Sequence, residues 1–278
     1  MLRALVLQSD FGISDGAVSA MHGVANSVDQ QLSIYDLTHD IPPYNIWEGS
    51  YRLWQTMSYW KEGTVFVSVV DPGVGSTRRS IGVQTGSGHY IITPDNGTLT
   101  HIKRTEGIVA AREIDERTNR LPRSGESYTF HGRDVYAYTG ARLASGAITF
   151  KEVGPELDPD SLEQLPVKEP EIRNGKVLGI IDILDIRFGN LWTNIPRDFF
   201  NQIGVQYGET LKVRILHNSQ EVYHNSMTFG RSFADTHKGE PLVYVNSLDN
   251  LAVAINQGSF AKAYNIRTGS NWDVQFEK

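Results

Sequence analysis

The chain has 278 residues, 40% hydrophobic and 21% charged, a length that allows one large domain or two modest ones with self-sufficient cores. It contains no cysteine, which excludes thiol catalysis, iron–sulfur clusters, cysteine zinc sites and disulfide frameworks. With 26 basic and 32 acidic residues the net charge is −6, which argues against nucleic-acid backbone binding as the main activity.

Met1-Leu2-Arg3 leads into Ala4-Leu5-Val6-Leu7, a run too short for a secretion signal or a membrane span. No later segment reaches ~18 uninterrupted apolar residues, so a cytoplasmic protein without a membrane partner is expected. Ala4 to Gln8 reads as a strand running into Ser9-Asp10-Phe11-Gly12. Asp15 to Met21 opens a helix, with Asp15 near the N-terminus, where the helix dipole favours a carboxylate. Leu32 to Leu37 reads as a second strand, and Ile46, Leu53, Trp54 and Met57 fall on one helical face. Thr64 to Val70 is nearly all apolar, as for a central strand covered on both sides, and it ends at Asp71-Pro72-Gly73-Val74-Gly75. His89 to Thr93 is a further strand ending in Pro94-Asp95-Asn96-Gly97, and a helix is expected from Asp134 to about Leu143.

Asp10, Asp71 and Asp95 thus each follow a strand. Ligands of open α/β sheets bind beyond the carboxyl ends of the strands, so parallel strands would set these three carboxylates on one rim. The acidic, proline-rich stretch Pro155 to Pro170 reads as a connection. Beyond it come short strands at Val177–Leu184, Leu211–Leu216, Val222–Met227, Leu242–Val245 and Leu251–Ile255, with no long helical pattern. The expected organisation is an α/β domain with a central, mostly parallel sheet over residues 1–165, a linker over 166–175, and an all-β, barrel-like domain over 176–278.

No phosphate-binding Gly-Lys-Ser/Thr loop follows the glycines after Asp71. Neither a His-Glu-x-x-His pair, an EF-hand loop nor a Gly-x-Ser-x-Gly elbow occurs, so no metal and no cofactor are expected. The segment from Ile186 to Ile195 places two aromatics and two asparagines around Gly189. That composition suits a flat heteroaromatic ring, with faces to stack on and amides for its edge; a β-bulge with core aromatics would have the same composition. His131 stands in a loop just before a helix, as either a structural or a catalytic residue.

Five segments fall in an order seen in one family: Ser9-Asp10-Phe11-Gly12 with Asp15, Asp71-Pro72-Gly73-Val74-Gly75 with Arg78-Arg79, Pro94-Asp95-Asn96-Gly97, Phe130-His131-Gly132-Arg133-Asp134, and Phe188-Gly189-Asn190 with Thr193-Asn194-Ile195. The chain resembles the S-adenosyl-L-methionine hydrolases, or S-adenosylmethionine hydroxide adenosyltransferases, relatives of the fluorinase and chlorinase. The resemblance implies hydrolysis of S-adenosyl-L-methionine to adenosine and L-methionine. It also implies a homotrimer with sites between one subunit's N-terminal domain and its neighbour's C-terminal domain.

By the same resemblance Asp71, Arg78 and His131 are the catalytic set. Asp10 holds the ribose hydroxyls, and Asp15 belongs to the same substrate-binding segment. Asp185, Phe188 and Asn190 surround methionine and nucleoside, and Tyr44 stands where the halogenases carry tryptophan. Ser247 lies near the methionine end and Asn256 in the adenine-reading segment. The chain departs from the family pattern at Asp249, usually glycine, and at Ala252, often glutamate in the hydrolases. Halogenases have tyrosine and threonine at the positions of Asp71 and Arg78, and a longer loop where only 33 residues separate Gly97 from His131 here. Water is therefore the expected nucleophile. The alternatives are a halogenase, a non-catalytic S-adenosylmethionine or adenosine binder, and a metal-dependent phosphohydrolase built on Asp10, Asp71 and Asp95.

Overall fold

Leu5-Val6-Leu7 and Val65-Phe66-Val67 are apolar at every position and buried at every position, because layers of helix cover both faces of the sheet they form. Leu5, Leu7, Val65 and Val67 pack on one side with Met21, Ala25, Val135 and Ala141. Val6 and Phe66 pack on the other with Leu53, Met57 and Ile102. The computed structural model describes residues 4–278, so the reading of Met1 to Arg3 lies outside the described residues. The chain divides into two compact units, Met1–Leu165 and Pro166–Lys278.

The first unit runs β1 (Leu5–Ser9), α1 (Ala17–Val28), β2 (Ile34–Thr38), α2 (Ile46–Met57), β3 (Val65–Val69), β4 (Ser80–Thr85), β5 (Tyr90–Pro94), α3 (Thr100–Thr105) and β6 (Ile108–Glu113). A π-helical turn (Gly132–Ala137) then continues into α4 (Tyr138–Ser145), and β7 (Glu156–Leu157) follows. The sheet order is β2-β1-β3-β5-β4-β6-β7. β2, β1, β3 and β5 are parallel, while β4 runs against both β5 and β6. The sheet is mostly parallel, as expected, with β4 and β7 the reversed strands.

β4, β6 and α3 carry no clear mark in the sequence. In β4, Gly82 interrupts the apolar pattern because a Cβ there would come 3.0 Å from Ile92 and 3.2 Å from Val153. The helix expected from Asp134 instead begins at Gly132 as a π-helix. Asn45 starts α2 by accepting the Glu48 N–H on its side chain at 3.0 Å, which satisfies one of the free N–H groups of the first turn.

The second unit runs β8 (Glu171–Arg173), β9 (Lys176–Asp185), β10 (Asn190–Pro196), α5 (Arg197–Phe200), β11 (Thr210–His217), β12 (Gln220–Phe229), β13 (Pro241–Val245), β14 (Asn250–Ile255), α6 (Phe260–Ala263) and β15 (Trp272–Glu277). The order β10-β14-β13-β12-β11-β15-β9 closes through a β9–β10 pairing into a seven-stranded barrel. Alternate residues such as Val177, Leu191, Val213, Val253 and Phe276 fill its interior, the period expected of strands with one face inward. Part of the stretch read as a linker, residues 171–173, is strand β8, paired with β9. Among the described residues no helix is long and apolar enough to cross a membrane.

Candidate active site

Asp10, Asp71 and Asp95 lie just past the carboxyl ends of the parallel strands β1, β3 and β5, on one rim as expected. Their partners differ. Arg78 Nε donates to Asp71 Oδ1 at 2.6 Å, and Arg78 Nη2 bonds to Oδ2, so the pair is bidentate. The next residue, Arg79, grips Asp95 by one oxygen only, with Nε 2.8 Å and Nη2 2.5 Å from Oδ2. Asp95 Oδ1 also accepts the Glu163 N–H at 2.9 Å, which makes Asp95 a structural tie between loops. With Asp71 and Asp95 each held by an arginine, these carboxylates form no shared cation cage among the described residues, contrary to the phosphohydrolase alternative. Asp10 Oδ2 accepts the backbone N–H of Tyr44 at 2.8 Å, and among the described residues Asp10 Oδ1 has no such tie. Tyr44 holds that position at φ 68°, a left-handed conformation unusual for a tyrosine, and the residue is 72% exposed.

Arg78 also reaches the histidine. Its Nη2 lies 3.4 Å from His131 Nδ1. A guanidinium only donates, so Nδ1 accepts and the neutral ring carries its proton on Nε2. That Nε2 is buried without a hydrogen-bond partner among the described residues. Burial pushes the His131 pKa below its ordinary value, the Arg120 and Arg78 charges act in the same sense, and Glu116 and Asp71 oppose them.

Two further side chains fix the arginine. Arg78 Nη1 donates to Ser80 Oγ at 3.1 Å, and that hydroxyl shares a 3.1 Å hydrogen bond with Tyr136 OH. The guanidinium carbon also lies 5.6 Å from the centre of the Tyr136 ring. Burial raises the Tyr136 pKa well above the usual phenol range, so the hydroxyl stays protonated. Ser80 and Tyr136 escaped the sequence reading, since a serine in a strand and a tyrosine in a buried helix carry no pattern of their own. Asp15 is exposed and caps the backbone ahead of α1, its Oδ1 accepting the Ala17 N–H at 2.9 Å.

In the second unit a cavity of about 740 Å³ is lined by residues that include Asp185, Phe188, Asn190, Phe233, Tyr244 and Asn256. Asp185 and Asn190 face each other across the β9–β10 turn, with Asn190 Nδ2 3.3 Å from Asp185 Oδ2. Gly189, between Phe188 and Asn190, has φ 69°, and a Cβ there would meet Ser259 Oγ at 1.9 Å. Phe188 is left 66% exposed at the cavity edge. Trp192 Nε1 donates to Tyr244 OH at 3.1 Å, and burial pushes that phenol up to about 12. Asn256 spends its amide hydrogens on Phe233 O and Thr236 O, at 2.9 and 2.8 Å, which leaves only its oxygen for a ligand.

Ser247 is not with this group. It is exposed in the turn between β13 and β14, at the opposite end of β14 from Asn256. In the same turn Asp249 has φ 64°, which gives a physical reason for glycine at that position in the family. A separate cluster, His22, Asp36 and His39, brings three possible metal-ligand atoms within 4.8 Å of one another.

Residues 5–154 match the SAM hydroxide adenosyltransferase N-terminal domain, and residues 179–273 match the C-terminal domain of the same family. The chain belongs to the SAM hydroxide adenosyltransferase family. Relatives within it carry more than one name. A (R)-S-adenosyl-L-methionine hydrolase of Methanocaldococcus jannaschii is 36% identical over 79% of this chain and 76% of its own length. The hydrolase of that name from Salinispora tropica is 34% identical over 96% of this chain and 95% of its own. A fluorinase of Actinopolyspora mzabensis is 31% identical over 95% of this chain and 94% of its own. The crystal structure of an uncharacterized conserved protein from Thermotoga maritima superposes with a TM-score of 0.89 at 31% identity, covering 99% of this chain and 100% of the other. Identity at this level does not separate the SAM hydroxide adenosyltransferases named hydrolases from those named fluorinases, so the nucleophile has to be argued from the site.

Proposed function

We propose that this protein hydrolyses S-adenosyl-L-methionine at the C5′–sulfonium bond, giving adenosine and L-methionine. The observation that carries the reading is the Asp71–Arg78–His131 contact set beside the Asp10 rim. In the reaction the water oxygen bonds to C5′, the C5′–S electron pair goes to sulfur, and one water proton is released. Methionine leaves as a neutral thioether, so no general acid is required. What the site has to supply is a positioned water with hydroxide character.

Arg78, fixed by Asp71 and Ser80, and a neutral His131 with an unpaired Nε2 are groups suited to hold that water in line. Asp10, with one oxygen taken by Tyr44, has the other for the ribose hydroxyls. The β9–β10 turn and the cavity beside it provide an aromatic face and amide edges for the nucleoside. We further propose that the two parts of the site are completed across the subunits of a homotrimer, as the family resemblance implies, and that no metal or cofactor takes part in the reaction.

The deciding experiment incubates the protein with the R and S sulfonium epimers of S-adenosyl-L-methionine, with and without chloride, and identifies the products. The names of the hydrolase relatives make the R epimer the one to include. Adenosine and methionine in equal amounts, with the 5′-oxygen drawn from labelled water, are expected with a chelator present. 5′-Chloro-5′-deoxyadenosine as the main product in chloride would overturn the proposal in favour of a halogenase. Binding without turnover of either epimer would make the protein a receptor.

A further inference from the structure

His22 on α1, Asp36 on β2 and His39 just past β2 converge on one point of the first unit. His22 Nε2 lies 2.7 Å and His39 Nε2 lies 3.0 Å from the same atom, Asp36 Oδ1. The His39 side chain is 2% exposed, whereas those of His22 and Asp36 are 34% and 46% exposed. On its other nitrogen His39 is held by Ser9 Oγ at 2.6 Å.

We propose that His22, Asp36 and His39 form a binding site for a first-row divalent cation of the zinc type. Two imidazole nitrogens and one carboxylate form a donor set that suits zinc and its neighbours, whereas calcium and magnesium take oxygen ligands. In a tetrahedral zinc shell with bonds of about 2.0–2.2 Å, neighbouring ligand atoms stand about 3.3 Å apart. The two contacts here are shorter than that, and all three atoms fall within 4.8 Å, so small outward movements of two partly exposed side chains admit the ion. The Ser9–His39 bond is the outer-shell contact that fixes the orientation of a metal-bound histidine. The exposed side of His22 and Asp36 leaves a position for water. With no ion, the two imidazole N–H groups satisfy Asp36 Oδ1, so the cluster is stable in both states.

Such an ion would brace the chain behind Asp10. The His39 carbonyl accepts the Gly12 N–H at 2.7 Å, and Ser9 Oγ accepts the Phe11 N–H at 3.3 Å. The site would therefore tie α1 and β2 to the segment that carries Asp10 without supplying a group to the reaction.

The test uses untagged, metal-free full-length protein titrated with Co²⁺, followed by visible absorption, and with Zn²⁺, followed by calorimetry. One equivalent per chain and a rise in Tm with Zn²⁺ are expected. His22→Ala and Asp36→Asn, both at partly exposed positions, should fold normally by circular dichroism and lose the binding and the Tm rise. Ser9→Ala should bind about 10- to 100-fold more weakly. Absence of binding by the wild type, or the same isotherm in His22→Ala as in the wild type, would overturn the proposal. The second result would assign the metal to other exposed histidines such as His224.

Discussion

Arg78 and His131 meet through the guanidinium nitrogen that also closes the clamp on Asp71: Nη2 bonds to Asp71 Oδ2 and lies 3.4 Å from His131 Nδ1. One planar group therefore sets the orientation of the imidazole relative to the carboxylate. A cation at that distance also opposes protonation of the ring, in the same sense as its burial.

Removing either partner should act on the chemical step. For His131→Ala and Arg78→Ala we expect kcat to fall by about 10²–10³ with little change in KM, the usual effect of losing a group that stabilises the transition state. Arg78→Lys should not rescue activity, because an ammonium cannot span both Asp71 oxygens and also reach His131. Steady-state kinetics on S-adenosyl-L-methionine decide this, and near-full activity of His131→Ala would remove the histidine from the mechanism.

The pH dependence has a fixed sign. Burial lowers the His131 pKa, so the neutral ring persists to a pH below the ordinary histidine value of ~6.5. The kcat/KM profile should be level around neutrality and fall only below that value, and an acid limb centred above it would contradict the assignment. The same shift makes a stability statement, shared by His89, whose pKa burial also lowers. Both rings gain protons in the unfolded chain before the folded one. Their contribution is complete above ~6.5 and declines as pH falls towards the folded values. Urea midpoints at pH 7.5 and pH 5.5 should show the loss, and it should shrink in His89→Gln.

Gly189 permits a direct comparison with Gly204. Both have positive φ, 69° and 68°, but a Cβ at Gly204 meets open space while one at Gly189 meets Ser259 Oγ. Gly204→Ala should cost about 1 kcal/mol from backbone conformation alone. Gly189→Ala should cost more and also weaken adenosine binding, because it displaces Phe188 and Asn190 together. Equal unfolding midpoints and equal adenosine affinity in the two variants would mean that the Ser259 contact does not shape the turn.

Subunit mixing tests the proposed assembly. His131→Ala and Asn190→Ala should each be inactive alone. After dissociation and reassembly together, some sites would carry both substitutions and others neither, and a fraction of native activity should return. An active monomer by light scattering, or mixed oligomers that stay inactive although subunits exchange, would rule out shared sites.

The sequence made most plain what is buried on both sides. Leu5-Val6-Leu7 of β1 and Val65-Phe66-Val67 of β3 are continuous apolar runs because helices cover both faces, and the strand ends point to the rim with Asp10 and Asp71. β2 was legible only approximately, since Tyr35 and Asp36 are exposed at a sheet edge and break the apolar pattern. β15 was missed because its alternation, Trp272-Asp273-Val274-Gln275-Phe276, is short and lies at the end of the chain, although its apolar half is wholly inside the barrel. In the candidate site Asp10, Asp71 and Arg78 stand in loops and His131 at the head of the π-helical turn, where polar residues are conspicuous. Ser80 and Tyr136 are polar atoms on core elements, and only their contacts reveal them. His22, Asp36 and His39 come from a helix, a strand and a loop, a spacing that matches no ligand motif.

The π-helical turn after His131 sets a limit on how this protein can change length. A single extra residue wound into Gly132–Ala137 lets α4 keep its core contacts while His131 stays directed at Arg78. Deleting one residue inside the turn would exchange its six π-helical residues for ordinary α-helical winding with one residue fewer, which sweeps about the same angle about the axis. Deleting one from α4 itself would instead turn everything before it by about 100°, and either the histidine or the buried face of α4 would then point the wrong way. A one-residue gap should therefore be better tolerated within Gly132–Ala137 than within Tyr138–Ser145.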